Sequence, residues 1–243
     1  MTDVQDPAAD EYSHIERVYA RGHTTFMGLT LQVQRGALVP RPETEILGLA
    51  ALEVLALRPG PVRVVDMCCG CGNLACAIAA YIPRAHVWAS DVTDACVAAT
   101  RANVARLGVG DRVSVHQGDL FDSLASCVGE EAVDLVVCNP PYISTGRLQK
   151  DRKVLLELEP REAFDGGAYG LSVHQRVIAQ SVRFLKANGW LLFEIGLGQA
   201  RQVMRLFERS RAYEPSQGRT DGAGNVRAVL ARKKATAGSG APD

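Results

Sequence analysis

The sequence has no net charge, with 27 lysines and arginines against 27 aspartates and glutamates in 243 residues. That balance removes the global attraction on which nucleic-acid binding depends, so no nucleic-acid partner is expected. No apolar run approaches the ~20 residues of a membrane-crossing helix. The opening MTDVQDPAADEYSH lacks the basic start and apolar stretch of a secretory signal. The expectation is a cytoplasmic protein without a membrane partner. The 7 cysteines are an odd number, against a disulfide framework. Cys68, Cys69, Cys71 and Cys76 follow C-C-x-C rather than the paired C-x2-C of structural zinc, and read as small buried hydrophobes. The histidines, at 14, 23, 86, 116 and 174, have no ligand spacing. No metal is expected.

What is present is a change of pattern near residue 60. Before it come a polar lead, strand-like alternation from Thr24 to Val33 around Gly28, and a helix announced by Pro42 and Glu43. The run Ile46 to Leu57 is apolar nearly all round, as in a helix covered on every side. From Pro61, short apolar strands alternate with amphipathic helices, the pattern of an α/β fold with a parallel sheet between helical layers. The strands are Arg63–Cys68, His86–Asp91, Val113–Asp119, Val133–Asn139, Gly189–Ile195 and Val226–Ala231. The helices are Leu74–Tyr81, Thr93–Leu107, Leu171–Ala187 and Gln199–Arg209. Residues 1–60 thus read as an N-terminal extension and 61–233 as the main domain. Residues 143–170, rich in charge (Lys150-Asp151-Arg152-Lys153) and glycine, read as a lid without clear strands. The polar tail, 234–243, reads as disordered.

Strand Arg63–Cys68 runs into Gly70-x-Gly72-x-x-Ala75, a glycine turn where backbone approaches a ligand. Asp91 ends the next strand about 20 residues on, where a ribose-binding acid belongs. Taken this far, an NAD-dependent dehydrogenase fits as well. Asp119 ends the third strand, placed to accept from an adenine amino group. The fourth strand stops at Asn139-Pro140-Pro141-Tyr142, with Asn inside the crevice at the carboxyl edge of the sheet.

Methyl transfer from a sulfonium to nitrogen gives this tetrapeptide a purpose. An amide or aromatic-amine nitrogen delocalises its lone pair and attacks poorly. The Asn139 side-chain oxygen and the Pro140 carbonyl can each take one N–H of a planar NH2 and fix it for in-line attack, with Tyr142 stacking on the flat group. By propensity alone the same residues form a surface turn. Their place behind a glycine turn and two strand-end acids favours the clamp, and a dehydrogenase leaves it unexplained. DNA adenine methyltransferases share such a clamp but need a basic recognition surface. A cofactor-binding regulatory module would not need Asn139 intact.

On these motifs, from about Tyr19 to Lys233, the chain resembles the HemK/PrmC-type protein-glutamine N5-methyltransferases. The entry segment resembles Phe26-Met27-Gly28-Leu29 and Leu38-Val39-Pro40-Arg41-Pro42-Glu43-Thr44-Glu45. The lid region resembles Glu159-Pro160-Arg161-Glu162-Ala163-Phe164-Asp165-Gly166-Gly167, and the terminal segment Asp221 to Arg227. The resemblance implies a Rossmann-like class I fold with a mostly parallel seven-stranded sheet and S-adenosyl-L-methionine as cofactor. It implies Asp66, Gly70, Gly72, Asp91, Asp119 and Asn139 for cofactor binding, and Asn139, Pro140 and Tyr142 for catalysis. Phe26, Arg41 and Glu43 would join Tyr142 in the substrate pocket; Arg41 and Glu43 read equally well as a helix-start salt bridge.

Two departures shape the substrate expectation. Cys68 replaces the family's usual first glycine. Family members acting on release factors usually carry an N-terminal helical domain, whereas only about twenty residues precede the resemblance here. The expected acceptor is therefore a small amino-acid-like or natural-product molecule, with a release-factor glutamine as the alternative. A homodimer is compatible with either.

Overall fold

The computed structural model describes residues 7–151 and 155–235. Arg152, Lys153 and the tail from 236 lie outside the described residues. Seven strands form one sheet in the order β5-β4-β3-β6-β7-β9-β8. They are β3 (Val62–Met67), β4 (Ala85–Asp91), β5 (Val113–Gln117), β6 (Val133–Cys138), β7 (Leu185–Glu194), β8 (Gln217–Thr220) and β9 (Val226–Arg232). The first five run parallel; β9 is antiparallel to β7, and β8 to β9.

The period of two along each strand sorts the core into two layers. Val64, Leu135, Val137 and Leu192 face α2 (Thr44–Ala56) and α3 (Asn73–Tyr81), with Val104 of α4 (Asp94–Arg106) in the same cluster. Val65, Val136, Leu191 and Phe193 face α6 (Ser172–Phe184) and α7 (Ala200–Ser210). Strands buried on both faces explain the continuous apolar runs. Placing the strand ends in this order opens a crevice at the carboxyl edge beside β3, where the strand order reverses.

The structure departs from expectation in several places. The polar lead is a helix, α1 (Pro7–Arg21), followed by a hairpin of β1 (His23–Phe26) and β2 (Leu29–Gln32). Ile15 and Val18 of α1 are its buried stripe, too narrow to mark a helix in a polar sequence. They join Val39 with Leu148, Leu158 and Phe164 from the segment 143–170. That segment contains α5 (Thr145–Asp151) and short 3-10 turns, and Ile143 bridges Asp165 in parallel. Helix α6 stops at Phe184 because Leu185 pairs with Val133 of β6. Strand β8, QGRT, has too little hydrophobicity to announce itself. Lys233 and Lys234 are ordered: the Lys233 ammonium is buried, donating to the carbonyls of Val182 and Leu185 at 2.8 and 2.7 Å and pairing with Glu131 at 2.9 Å. Among the described residues no helix is long and apolar enough to cross a membrane.

Candidate active site

Two cavities of about 440 Å³ each lie along the carboxyl edge of the sheet, and Asn139, Arg41, Leu38 and Ala163 line both. A ligand in one therefore meets a ligand in the other at Asn139.

The first cavity is built on the turn after β3. Cys68, Gly70 and Gly72 take left-handed φ of 59°, 57° and 77°. A Cβ on Gly70 would meet open space, so the backbone itself faces the cavity; one on Gly72 would strike Thr100 Cγ2 at 2.6 Å. Asp91 braces the turn: Oδ2 accepts from Gly70 N at 3.0 Å and Oδ1 from Thr93 N at 3.1 Å, while the residue still lines the cavity. The Thr93 hydroxyl caps α4 by accepting from Cys96 N. Leu38, Val92, Leu120 and Val173 add apolar walls. Exposed backbone, a strand-end carboxylate and an apolar slot fit an adenosine-bearing molecule.

Asp66 is placed differently from expectation. It lies wholly buried beneath the turn, outside the cavity lining, with Oδ2 accepting from Ala75 N at 2.9 Å. Oδ1 has no partner among the described residues. Desolvation pushes the carboxyl up to about 7, aided by the charge of Asp91 and opposed by the Ala75 bond. Gly72 likewise shapes the turn without lining the cavity. Asp119 does line it, but its Oδ2 accepts from Arg176 at 2.7 Å, so a salt bridge already engages the carboxylate expected to meet adenine. The thiols of Cys69, Cys71, Cys76, Cys96 and Cys138 are buried, and burial pushes Cys76 and Cys96 up to about 12, so they pack as neutral groups.

The second cavity is lined by Tyr142, Glu43, Glu194, Gln199 and Arg227 among others, with Glu11 of α1 at its edge. Asn139 donates from Nδ2 to Thr44 Oγ1 at 3.3 Å, and Tyr142 donates its phenol proton to Glu194 Oε1 at 3.3 Å. Pro140 is buried between them and lines neither cavity, while Pro141 lines the first. Phe26 is no pocket wall: it is 1% exposed in the core layer of α2 and α3.

In the segment Arg-Pro-Glu-Thr-Glu, the side chains of Arg41, Thr44 and Glu45 are each anchored. Arg41 pairs with Glu159 Oε2 rather than with Glu43, and Glu159 Oε1 accepts from Val39 N at 2.9 Å. Glu45 Oε1 accepts from Met27 N at 2.7 Å and ties the hairpin to α2. Thr44, Glu159, Arg176, Glu194 and Arg227 were not singled out as site residues. Thr44, Glu159 and Arg227 stood inside quoted segments, but the partners of Thr44 and Glu159 lie 95 and 118 residues away and no local spacing predicts such pairs.

Comparison with known proteins gives the family and the fold. Residues 50–158 match the methyltransferase small domain family. The chain is 35% identical over 192 residues to a release factor glutamine methyltransferase of Geobacter sulfurreducens, covering 79% of this chain and 64% of that one. It is 35% identical over 206 residues to a protein of the same name from Clostridium acetobutylicum, covering 85% and 71%. It thus spans a little under two thirds of the length of the first relative and a little over two thirds of the second. In fold it is similar to a methyltransferase from Pyrococcus furiosus, with a TM-score of 0.64 at 14% identity over 93% of this chain and 99% of that one. It is also similar to TYW2 of M. jannaschii in complex with AdoMet, with a TM-score of 0.56 at 12% identity over 88% and 86%. The chain belongs to the release factor glutamine methyltransferase family, S-adenosylmethionine-dependent methyltransferases built on a Rossmann-like α/β fold.

Proposed function

We propose that the chain methylates the N5 nitrogen of a glutamine side chain in a peptide chain release factor. The observation that carries this reading is Asn139, shared by both cavities and oriented by Thr44. The first cavity would hold S-adenosylmethionine, with Asp91 toward the ribose and Leu38, Leu120 and Val173 against the adenine. When bound, that cofactor supplies an electrophilic methyl group on a sulfonium. The second cavity would take the acceptor amide.

In this reading the Asn139 side-chain carbonyl accepts an N–H of the acceptor and Tyr142 covers its flat face, while Pro140, expected to take the second N–H, lines neither cavity. Holding a weak nucleophile in line is where the protein contributes, and removing such positioning costs ~10²-fold or more. Positive charge gathers on the nitrogen as the N–C bond forms, and the acidified N–H proton passes to water, so no strong base is needed. Residues 143–170, tied to the entry segment by Arg41 and Glu159, act as the lid of both cavities.

A protein acceptor is favoured over the small molecule expected from the sequence by two features. The relatives carry release factors in their names. Tyr169 and Leu197, which line the second cavity, are 85% and 61% exposed, an apolar rim suited to a polypeptide around the glutamine. A release-factor acceptor also implies a cytoplasmic site of action. Incubation with methyl-labelled cofactor, a recombinant release factor and a panel of small amides and amines tests the reading. Label is expected on one release-factor glutamine; label only on a small molecule overturns it.

A further inference from the structure

Glu194 and Asn139 stand side by side on the carboxyl edge, because the register pairing Cys138 with Phe193 sets the next residue of β6 and of β7 together. The Glu194 carboxyl is buried yet lines the acceptor cavity. Its Oε1 accepts from Tyr142, and Oε2 has no partner within 3.5 Å among the described residues. Of the groups that lower this carboxyl's proton affinity, the Thr44 hydroxyl is the strongest. The same hydroxyl accepts the Asn139 Nδ2 proton.

A hydroxyl has one proton to give. An ionised carboxyl only accepts, so a Thr44 O–H directed at Glu194 would leave the hydroxyl lone pairs to Asn139. The Asn139 amide must then keep Nδ2 toward Thr44 and Oδ1 on the other side, free for an acceptor N–H. We propose that Glu194 is a positioning residue, fixing the orientation of the Asn139 amide through the Thr44 hydroxyl and holding the Tyr142 ring through its phenol. The inference rests on the reading of Asn139 as the acceptor clamp.

The groups facing Glu194 make this orientation depend on pH. Burial pushes its carboxyl up to about 7, with Thr44, Arg227 and Tyr142 pulling it down and Glu43 pushing it up. His174 of α6 donates from Nε2 to the Glu194 backbone carbonyl at 3.2 Å, and burial, pushing it down to about 4, keeps it neutral. A protonated Glu194 has an O–H of its own to offer Thr44, and the direction of the relay is lost.

The side-chain ¹⁵N–¹H₂ signal of Asn139, identified by its absence in Asn139→Ala, reads the relay without any acceptor. In the wild type it should shift with a midpoint near the Glu194 value of about 7. That titration should vanish in both Glu194→Gln and Thr44→Val. A titration that persists unchanged in either variant overturns the proposal. With a release factor as acceptor, Glu194→Gln should lower kcat ~10-fold at unchanged cofactor affinity, and adding it to Thr44→Val should cost little more, since both act through one amide. Fully additive losses would also overturn it. A coupled Asn139 signal without turnover on the release factor would instead remove the proposed acceptor and leave the positioning intact.

Discussion

The side-chain amide of Asn139 gives its N–H to the hydroxyl of Thr44 at 3.3 Å, joining the end of β6 to the first residue of α2. Thr44 is itself buried, so this partner is fixed by packing. Thr44→Val keeps the shape and removes the acceptor. We expect kcat to fall ~10-fold, the scale of one lost positioning hydrogen bond, while cofactor binding by calorimetry stays within about twofold. An unchanged kcat would detach Thr44 from the chemistry.

Arg41 and Glu159 join the entry segment to residues 143–170, and the Glu159 side chain is 0% exposed. Removing the cation alone strands a buried carboxylate, whereas removing both charges does not. Arg41→Met should therefore cost about 3 kcal/mol in urea unfolding, and Arg41→Met with Glu159→Gln should recover at least half of that. Equal destabilisation by the single and double variants would contradict a charge-pair role.

The turn after β3 offers substitutions of opposite sign. Cys68 holds a φ of 59° that a side chain disfavours by about 1 kcal/mol, so Cys68→Gly should stabilise the fold by up to that amount. Gly72→Ala adds both strain and the clash with Thr100, and should cost about 2 kcal/mol or more. Thermal unfolding in the absence of cofactor separates the two. A destabilised Cys68→Gly would mean that the thiol packs better than its backbone suffers.

Asp66 sets a pH dependence. Its folded value of about 7 lies above the ordinary 3.8, so the folded chain keeps a proton that the unfolded chain releases. Stability from this group is full below about pH 4 and is lost as pH rises to about 7, by a few kcal/mol. Asp66→Asn retains an acceptor for Ala75 N–H and removes the titration. The variant should gain on wild type between pH 5 and 8 in denaturant unfolding; parallel pH profiles would show that Asp66 does not titrate there.

Much of this was legible in the chain because it is local. Alternating buried runs gave the parallel strands, and the double proline after Asn139 gave the place where β6 ends and Asn139 enters the crevice. Asp91 and the glycine turn were legible for the same reason: each is fixed within a few residues by a strand end. What escaped was non-local. Glu194 looks in sequence like the polar end of an apolar strand, and only the register of β7 against β6 puts it beside Asn139. Helix α1 escaped because much of the cluster that its narrow apolar stripe joins, Leu148, Leu158 and Phe164, is supplied from more than a hundred residues away. Phe26 was misplaced because its motif identifies the entry segment and says nothing of which way the ring turns.

The exposed rim of the second cavity offers a test of the proposed substrate. Tyr169→Ala with Leu197→Ala should raise KM for a release factor several-fold, leaving KM for cofactor unchanged, since neither residue lines the first cavity. An unchanged KM would leave the exposed rim without a role in recognition.

The most direct measurement compares wild type and Asn139→Ala for cofactor binding by calorimetry and for methyl transfer to a release factor by intact mass. Cofactor affinity within about tenfold of wild type, together with loss of the single added methyl, is the expected result. Transfer that survives Asn139→Ala would contradict the role assigned to the residue shared by the two cavities.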